Sequence, residues 1–223
     1  MNLFATSRRA RECASLPTKH QFKMCLEAVQ LAYAAHHVLS PAALAAAPCA
    51  KSGARGYRLT HRNHPCALWA RASPANYAWC VDLARALLAE FYRRRVAALE
   101  LAGKPTAGAD ESAIEPHVAW LEAHAPEFAP DAPHELTPFA VVITGERDER
   151  ACEHAACRYR RYLACDKPAH VVAFPADERV AKRPAWWLEA TPTRCWGDGA
   201  TGPWPSTDAR DSLPAPKRAR LEF

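Results

Sequence analysis

Four polar side chains, His20, Lys23, Glu27 and Gln30, recur at i, i+3, i+7 and i+10, so a helix lines them up along one stripe. A lone carboxylate among basic and neutral polar groups on a rigid helix can act as a general acid or base. The same pattern also suits a solvated face carrying a Lys23–Glu27 pair at i,i+4. A second concentration of chemistry is His61-Arg62-Asn63-His64-Pro65-Cys66, with two imidazoles and a thiol in six residues. It has the ligand types of a zinc site but lacks the second pair that tetrahedral coordination needs. Cys152, His154 and Cys157 fall where a helix would splay them apart, and no CxxC occurs. No cofactor is therefore expected. Asn63-His64-Pro65 reads better as the turn into a helix starting near Cys66, its side chains satisfying backbone groups or contacting phosphate. Trp69, Tyr77 and Trp79 then supply rings either for stacking on unpaired bases or for the core. The chain has no Gly-rich phosphate loop and no local signature of a Ser-His-Asp or Cys-His nucleophile.

The elements that must hold these groups are mostly helical. After Pro17, Thr18 can cap a helix over residues 19–39, with Phe22, Leu26, Val29 and Tyr33 as its core face. A second long helix is predicted over 74–101, ended by Gly103 and Pro105, and its run Arg93-Arg94-Arg95 could face phosphate. Residues 102–138 are acidic and Pro-bearing, an insertion or spacer with one short helix at about 114–124. A third helix is expected over 148–163. The apolar runs 139–143 and 169–174 are too short for periodicity to decide between strand and buried helix. The expected fold class is all-α, mostly helical around a single core, with room for one or two short strands in the C-terminal half. The domain expectation is a helical unit over 1–190 and a disordered, basic-ended tail over 191–223.

Charge is segregated along the chain. Residues 1–101 carry 14 Lys and Arg against 5 Asp and Glu, a net +9, whereas residues 102–145 carry 1 against 7, a net −6. A basic half of this kind draws a polyanion through counterion release, or simply forms a solvated face. No apolar stretch is long enough to span a membrane, the N-terminal apolar core is too short for a signal peptide, and nine scattered cysteines lack a disulfide framework. A soluble, intracellular monomer with mostly free thiols is expected.

Taken in order, three segments resemble the pyrimidine-dimer DNA glycosylases of the endonuclease V type from T-even phages, together with related phage and large-virus proteins. In that family a catalytic N-terminal amine precedes a helix bearing Asp-x-His and, seven residues beyond the His, an essential Glu. This chain has Thr18-Lys19-His20 and Glu27, with Thr18 in place of the Asp. Met1-Asn2-Leu3-Phe4 and Lys23-Met24-Cys25-Leu26-Glu27 are similar to the viral members, as is Thr60-His61-Arg62-Asn63-His64-Pro65-Cys66 followed by Trp69. Arg183-Pro184-Ala185-Trp186-Trp187 resembles the Arg-Pro-x-Trp-aromatic close of the phage enzymes. The matched blocks cover about a third of the chain.

The resemblance implies excision of damaged or modified pyrimidines from double-stranded DNA, with AP-lyase activity. An amine attacks C1′ to form a Schiff base, and β-elimination follows. An α-amino group titrates near 7.7–8.0, so about a tenth is unprotonated at neutral pH, while an ordinary lysine is below about one part in a thousand. It implies Glu27, Met1 and Asn2 as the catalytic group. The DNA-contact set is His20, Lys23, Arg62, Asn63, His64, Trp69, Arg71, Arg183, Trp186 and Trp187. Asn2 is too large to favour removal of Met1, which would leave the Met1 amine as nucleophile. The alternatives are a non-enzymatic DNA-binding protein of the same fold and a base-modification enzyme. Pro214-Ala-Pro-Lys217-Arg218-Ala-Arg220-Leu resembles a nuclear import signal, implying an import receptor and the nucleus of a eukaryotic host.

Overall fold

The computed structural model describes residues 1–143, 155–168 and 171–188 of the 223-residue chain. Helices dominate, and among the described residues no sheet forms, so the fold is all-α with a single core. Its centre is an antiparallel pair, α1 (Thr18–Leu39) and α3 (Pro74–Leu101). Gln21 Nε2 donates to Leu87 O (3.0 Å), Cys25 Sγ to Ala84 O (3.4 Å) and Cys80 Sγ to Ala28 O (3.3 Å), so ascending positions on one helix meet descending ones on the other. Ala28, Ala32, Ala84 and the two thiols let the backbones approach this closely, and Leu31, Leu83, Leu87 and Leu88 fill the sides. Burial pushes the Cys25 thiol up to about 12, which makes it an inert core group.

Local signals explain the helix ends. Ser73 Oγ accepts from Asn76 N (3.0 Å) at the start of α3, Pro74 opens its first turn, and Gly103 (φ +63°) closes it. The short α2 (Pro65–Ala70) is capped by His64, whose Nδ1 accepts from Cys66 N (3.2 Å). Thr18, expected as a cap, is instead the first helical residue, after Pro17. With no side-chain cap, its N–H is satisfied by Ala173 O (3.0 Å).

Helix α4 (Glu115–Ala123), from the acidic stretch, buries Val118 and Leu121, and Trp120 stacks parallel on Tyr33 at 5.6 Å. Arg85 of α3 clasps it through Glu115 and Glu122. After α5 (Ala155–Arg161) the chain widens into a π-helical turn, Tyr162–Asp166, and a last short helix, α6, spans Ala185–Leu188.

Several expectations are corrected. The runs 139–143 and 171–174 are neither strand nor helix. Phe139 instead wedges between Trp69 and Trp79 as core. The core face of α1 is shifted: Met24, Cys25, Ala28, Val29 and Tyr33 are buried, whereas Phe22 is 37% exposed and Leu26 half-buried. Arg94 does not face phosphate; it is buried, pairing with Glu90 (2.7 Å) and donating to Leu16 O (2.7 Å), and Arg93 also pairs with Glu90. Cys13, Cys25, Cys49, Cys66 and Cys80 are free thiols, but Cys157 is disulfide-bonded. The tail over 191–223, with Lys217, Arg218 and Arg220, lies outside the described residues, as do residues 148–154 of the third predicted helix and 169–170 of the second apolar run. No helix among the described residues is long and apolar enough to cross a membrane.

Candidate active site at the start of the chain

The first residues fold back onto α1 because their apolar side chains need cover: Leu3, Phe4 and Ala5 are all buried. Asn2 shapes the turn. Its Oδ1 accepts from Leu3 N (2.8 Å) and Phe4 N (3.3 Å), and its Nδ2 donates to Val142 O (2.7 Å). Phe4 sits at φ +41°, a left-handed conformation that a bulky residue seldom adopts and that surrounding contacts must enforce. Its ring meets the edges of His20 (5.6 Å) and Tyr159 (5.8 Å), and Arg160 Nε donates to Thr6 O (2.7 Å). The result is that Asn2 N–H donates to Glu27 Oε2 at 2.6 Å. Twenty-five residues of chain thus close a loop at the carboxylate.

Around that contact α1 supplies two further groups. Lys23 Nζ lies 3.6 Å from Glu27 Oε1, with Lys23 exposed and the Glu27 side chain only 13% so. His20, one turn earlier, is 4% exposed and receives Lys167 Nζ at Nε2 (2.8 Å). Burial first, then the charges of Lys167 and Lys23, push its pKa down to about 4, so the ring is neutral near pH 7. His64 comes in from the α2 cap. Burial lowers its pKa, the chain's terminal amine and His61 add to that, and the Glu27 carboxylate opposes. The amine, Glu27 and His64 therefore share one electrostatic neighbourhood. His61 holds a φ of +52° in the turn that delivers His64.

Of the residues singled out by spacing, the structure brings Met1, Asn2, His20, Lys23, Glu27 and His64 together. Arg62 and Asn63 are exposed on the same turn as His64, and half-buried Arg71 donates to Arg62 O (2.6 Å). Arg183 is exposed, while Trp186 and Trp187 are half-buried. Trp186 takes Arg160 over its ring at 5.8 Å, which ties it to Thr6. Two expected DNA contacts are corrected. Trp69 is 6% exposed, its Nε1 donates to Thr137 O (3.3 Å) and its ring packs against Trp79 and Phe139, so it has no face for a base. His20 is buried behind Phe4 and acts on Lys167 instead of on a ligand surface. Gln30 leaves the stripe and lines a separate cavity of about 710 Å³ with Phe22, Leu26, Tyr57 and Thr60, of which Glu27 is not a wall.

Spacing missed Lys167, Tyr162 and Arg160. No local pattern announces them, since each reaches the site only through tertiary packing. Among the described residues, no group of three or more His, Cys, Asp or Glu is arranged to hold a metal ion. Comparison of the chain with protein-family models, curated proteins and solved structures gives no match.

Proposed function

We propose that this protein is a DNA repair N-glycosylase with AP-lyase capacity that removes damaged or modified pyrimidines, such as pyrimidine dimers, from duplex DNA. One observation carries the reading: the backbone nitrogen of residue 2 lies 2.6 Å from the Glu27 carboxylate. An amine at the start of the chain would attack C1′. Glu27, negatively charged and largely enclosed, would stabilise the cationic sugar and then accept and return protons as the ring opens. Lys23 and the exposed Arg62 and Arg183 supply cations for the flanking phosphates. Reaching the bond requires the nucleotide to leave the stack.

A DNA-binding protein with the same fold and no chemistry is the second reading. It is favoured by the fact that, with Met1 in place, the nitrogen against Glu27 is a peptide N–H and not an amine. The test is incubation with ultraviolet-irradiated duplex, with and without borohydride. An enzyme using an amine releases base and gives a trapped protein–DNA adduct, and Glu27→Gln lowers base release by about 10²–10⁴-fold while leaving the melting temperature close to the parent's. A binder retains the duplex and releases nothing. Intact-mass measurement of whether Met1 is present and unacetylated identifies which nitrogen is free.

A further inference from the structure

One more primary amine stands beside these groups. Lys167 closes the π-helical turn Tyr162–Asp166, its N–H donating to Tyr162 O (3.0 Å). Its Nζ lies beside two rings, 5.2 Å from the centroids of both Phe4 and Tyr162, and 2.8 Å from His20 Nε2. A neutral imidazole there can take a proton from the amine's N–H side or lend one to its lone pair. His20 Nδ1 is buried with no partner among the described residues, so Lys167 is the group to which this ring is matched. Burial and the charge of Lys23 hold the Lys167 ammonium below the ordinary lysine range, against the opposing pull of the Glu27 carboxylate. Amine, neutral imidazole and carboxylate are the groups that imine formation and proton removal require.

We propose that Lys167 is a second imine-forming amine of this site, which captures the C1′ aldehyde of an abasic deoxyribose in DNA when the amine at the chain start is blocked. The inference rests on the glycosylase reading above. The unprotonated Nζ adds its electron pair to C1′, and the carbinolamine loses water to give a protonated imine. Glu27 takes a proton from C2′, the C2′–C3′ double bond forms, and the C3′–O bond breaks with its electron pair leaving on the phosphate. Water then hydrolyses the imine, returning the lysine and an unsaturated aldehyde. No oxidant or reductant takes part.

The test uses the full chain and a duplex with a single abasic site, trapped with borohydride and mapped by peptide mass spectrometry, with the α-amine either free or acetylated. The acetylated chain is expected to give an adduct at Lys167. Lys167→Arg, which keeps a cation beside the rings and a donor to His20, abolishes that adduct and leaves only about a tenth or less of the total trapped protein in the acetylated chain. Loss of the adduct on acetylation, or its mapping to Lys23 or other lysines, overturns the proposal. Mapping on the unsubstituted chain decides the matter should Lys167→Arg fail to fold. Base release from irradiated duplex is measured in parallel. Release without a Lys167 adduct overturns Lys167 alone, whereas a Lys167 adduct without release overturns the glycosylase reading and leaves this amine standing.

Discussion

Lowering the pH from 7 to 5 should unfold this protein far more readily, because two enclosed histidines resist protonation. His36 is fully buried, and its Nε2 lies 3.0 Å from Tyr77 Oη. That hydroxyl spends its one proton on Leu121 O (3.0 Å) or His124 O (3.1 Å), so the imidazole Nε2 is the donor in this bond. Burial, with added repulsion from His124 and His37, pushes the His36 pKa down to about 4 against the hydrogen bond to the His124 backbone, and His20 is held at about 4 as well. In the unfolded chain both titrate near 6.5, so between these values the unfolded state binds more protons and stability is lost as the pH falls. Integration across that window gives about 2 kcal/mol per ring at pH 5, hence about 4 kcal/mol for the pair, a large share of the ~5–15 kcal/mol that holds an ordinary domain folded. His64 and His117, also lowered by burial, act in the same direction. The Glu90 carboxyl, whose pKa is lowered in spite of its burial by Arg93 and Arg94, adds its loss only at more acidic pH. Urea unfolding followed by far-ultraviolet circular dichroism should show the midpoint falling by about 2 M, for a slope near 2 kcal/mol per molar. His36→Gln, which keeps a donor for Tyr77 but cannot titrate, should remove the His36 share of the pH dependence, about 2 kcal/mol. A parent protein losing less than about 1 kcal/mol, or an unchanged dependence in His36→Gln, would refute the burial argument.

Three other outcomes follow from the packing. At Gly56 (φ +65°) an added Cβ would lie 2.6 Å from Tyr33 Cε1, whereas at Gly53 (φ +79°) it would meet nothing within 4 Å. Gly56→Ala should therefore cost roughly 2–5 kcal/mol and Gly53→Ala only roughly 1–2; equal losses in chemical denaturation would contradict the contact. Arg94→Ala leaves Glu90 paired with Arg93 alone and Leu16 O without its donor, and should cost roughly 1–3 kcal/mol without changing the salt dependence of duplex binding. Arg62→Ala and Arg183→Ala should do the reverse, leaving stability within about 0.5 kcal/mol while each lowers the slope of log affinity against log salt by about 1. An unaltered slope in both would remove these side chains from any phosphate-contact set.

What could be read from the sequence was local in origin. The limits of α3 follow from Ser73-Pro74 at one end and Gly103-Lys104-Pro105 at the other, signals that act within a few residues. The α2 cap by His64 follows in the same way from Asn63-His64-Pro65. The core face of α1 is not legible from spacing alone, because α2, α3 and α4 surround that helix. An apolar i,i+4 series such as Phe22 and Leu26 then fails to tell core from the wall of an open cavity. The short helix expected at about 114–124 is α4, but the acidic composition around it gives no sign that Trp120 stacks on Tyr33 in the core. At the site, the His20-to-Glu27 interval and the proximity of Met1 and Asn2 were legible. Lys167, 147 residues from its partner His20, was not, because nothing near it in the chain reports where the fold will carry it.

The bonds from Asn2 to Val142 and from Thr6 to Arg160 also set an order of events during synthesis. α1 and α3 can pair as soon as both have left the ribosome. The stretch from residue 102 to residue 167 then takes roughly 3–13 s more at about 5–20 residues per second. Throughout that interval the nascent chain holds its leading residues without the partners that clamp them, and His20 without Lys167. The arrangement around the start of the chain is thus completed late in translation, by a folded scaffold waiting for its last contacts.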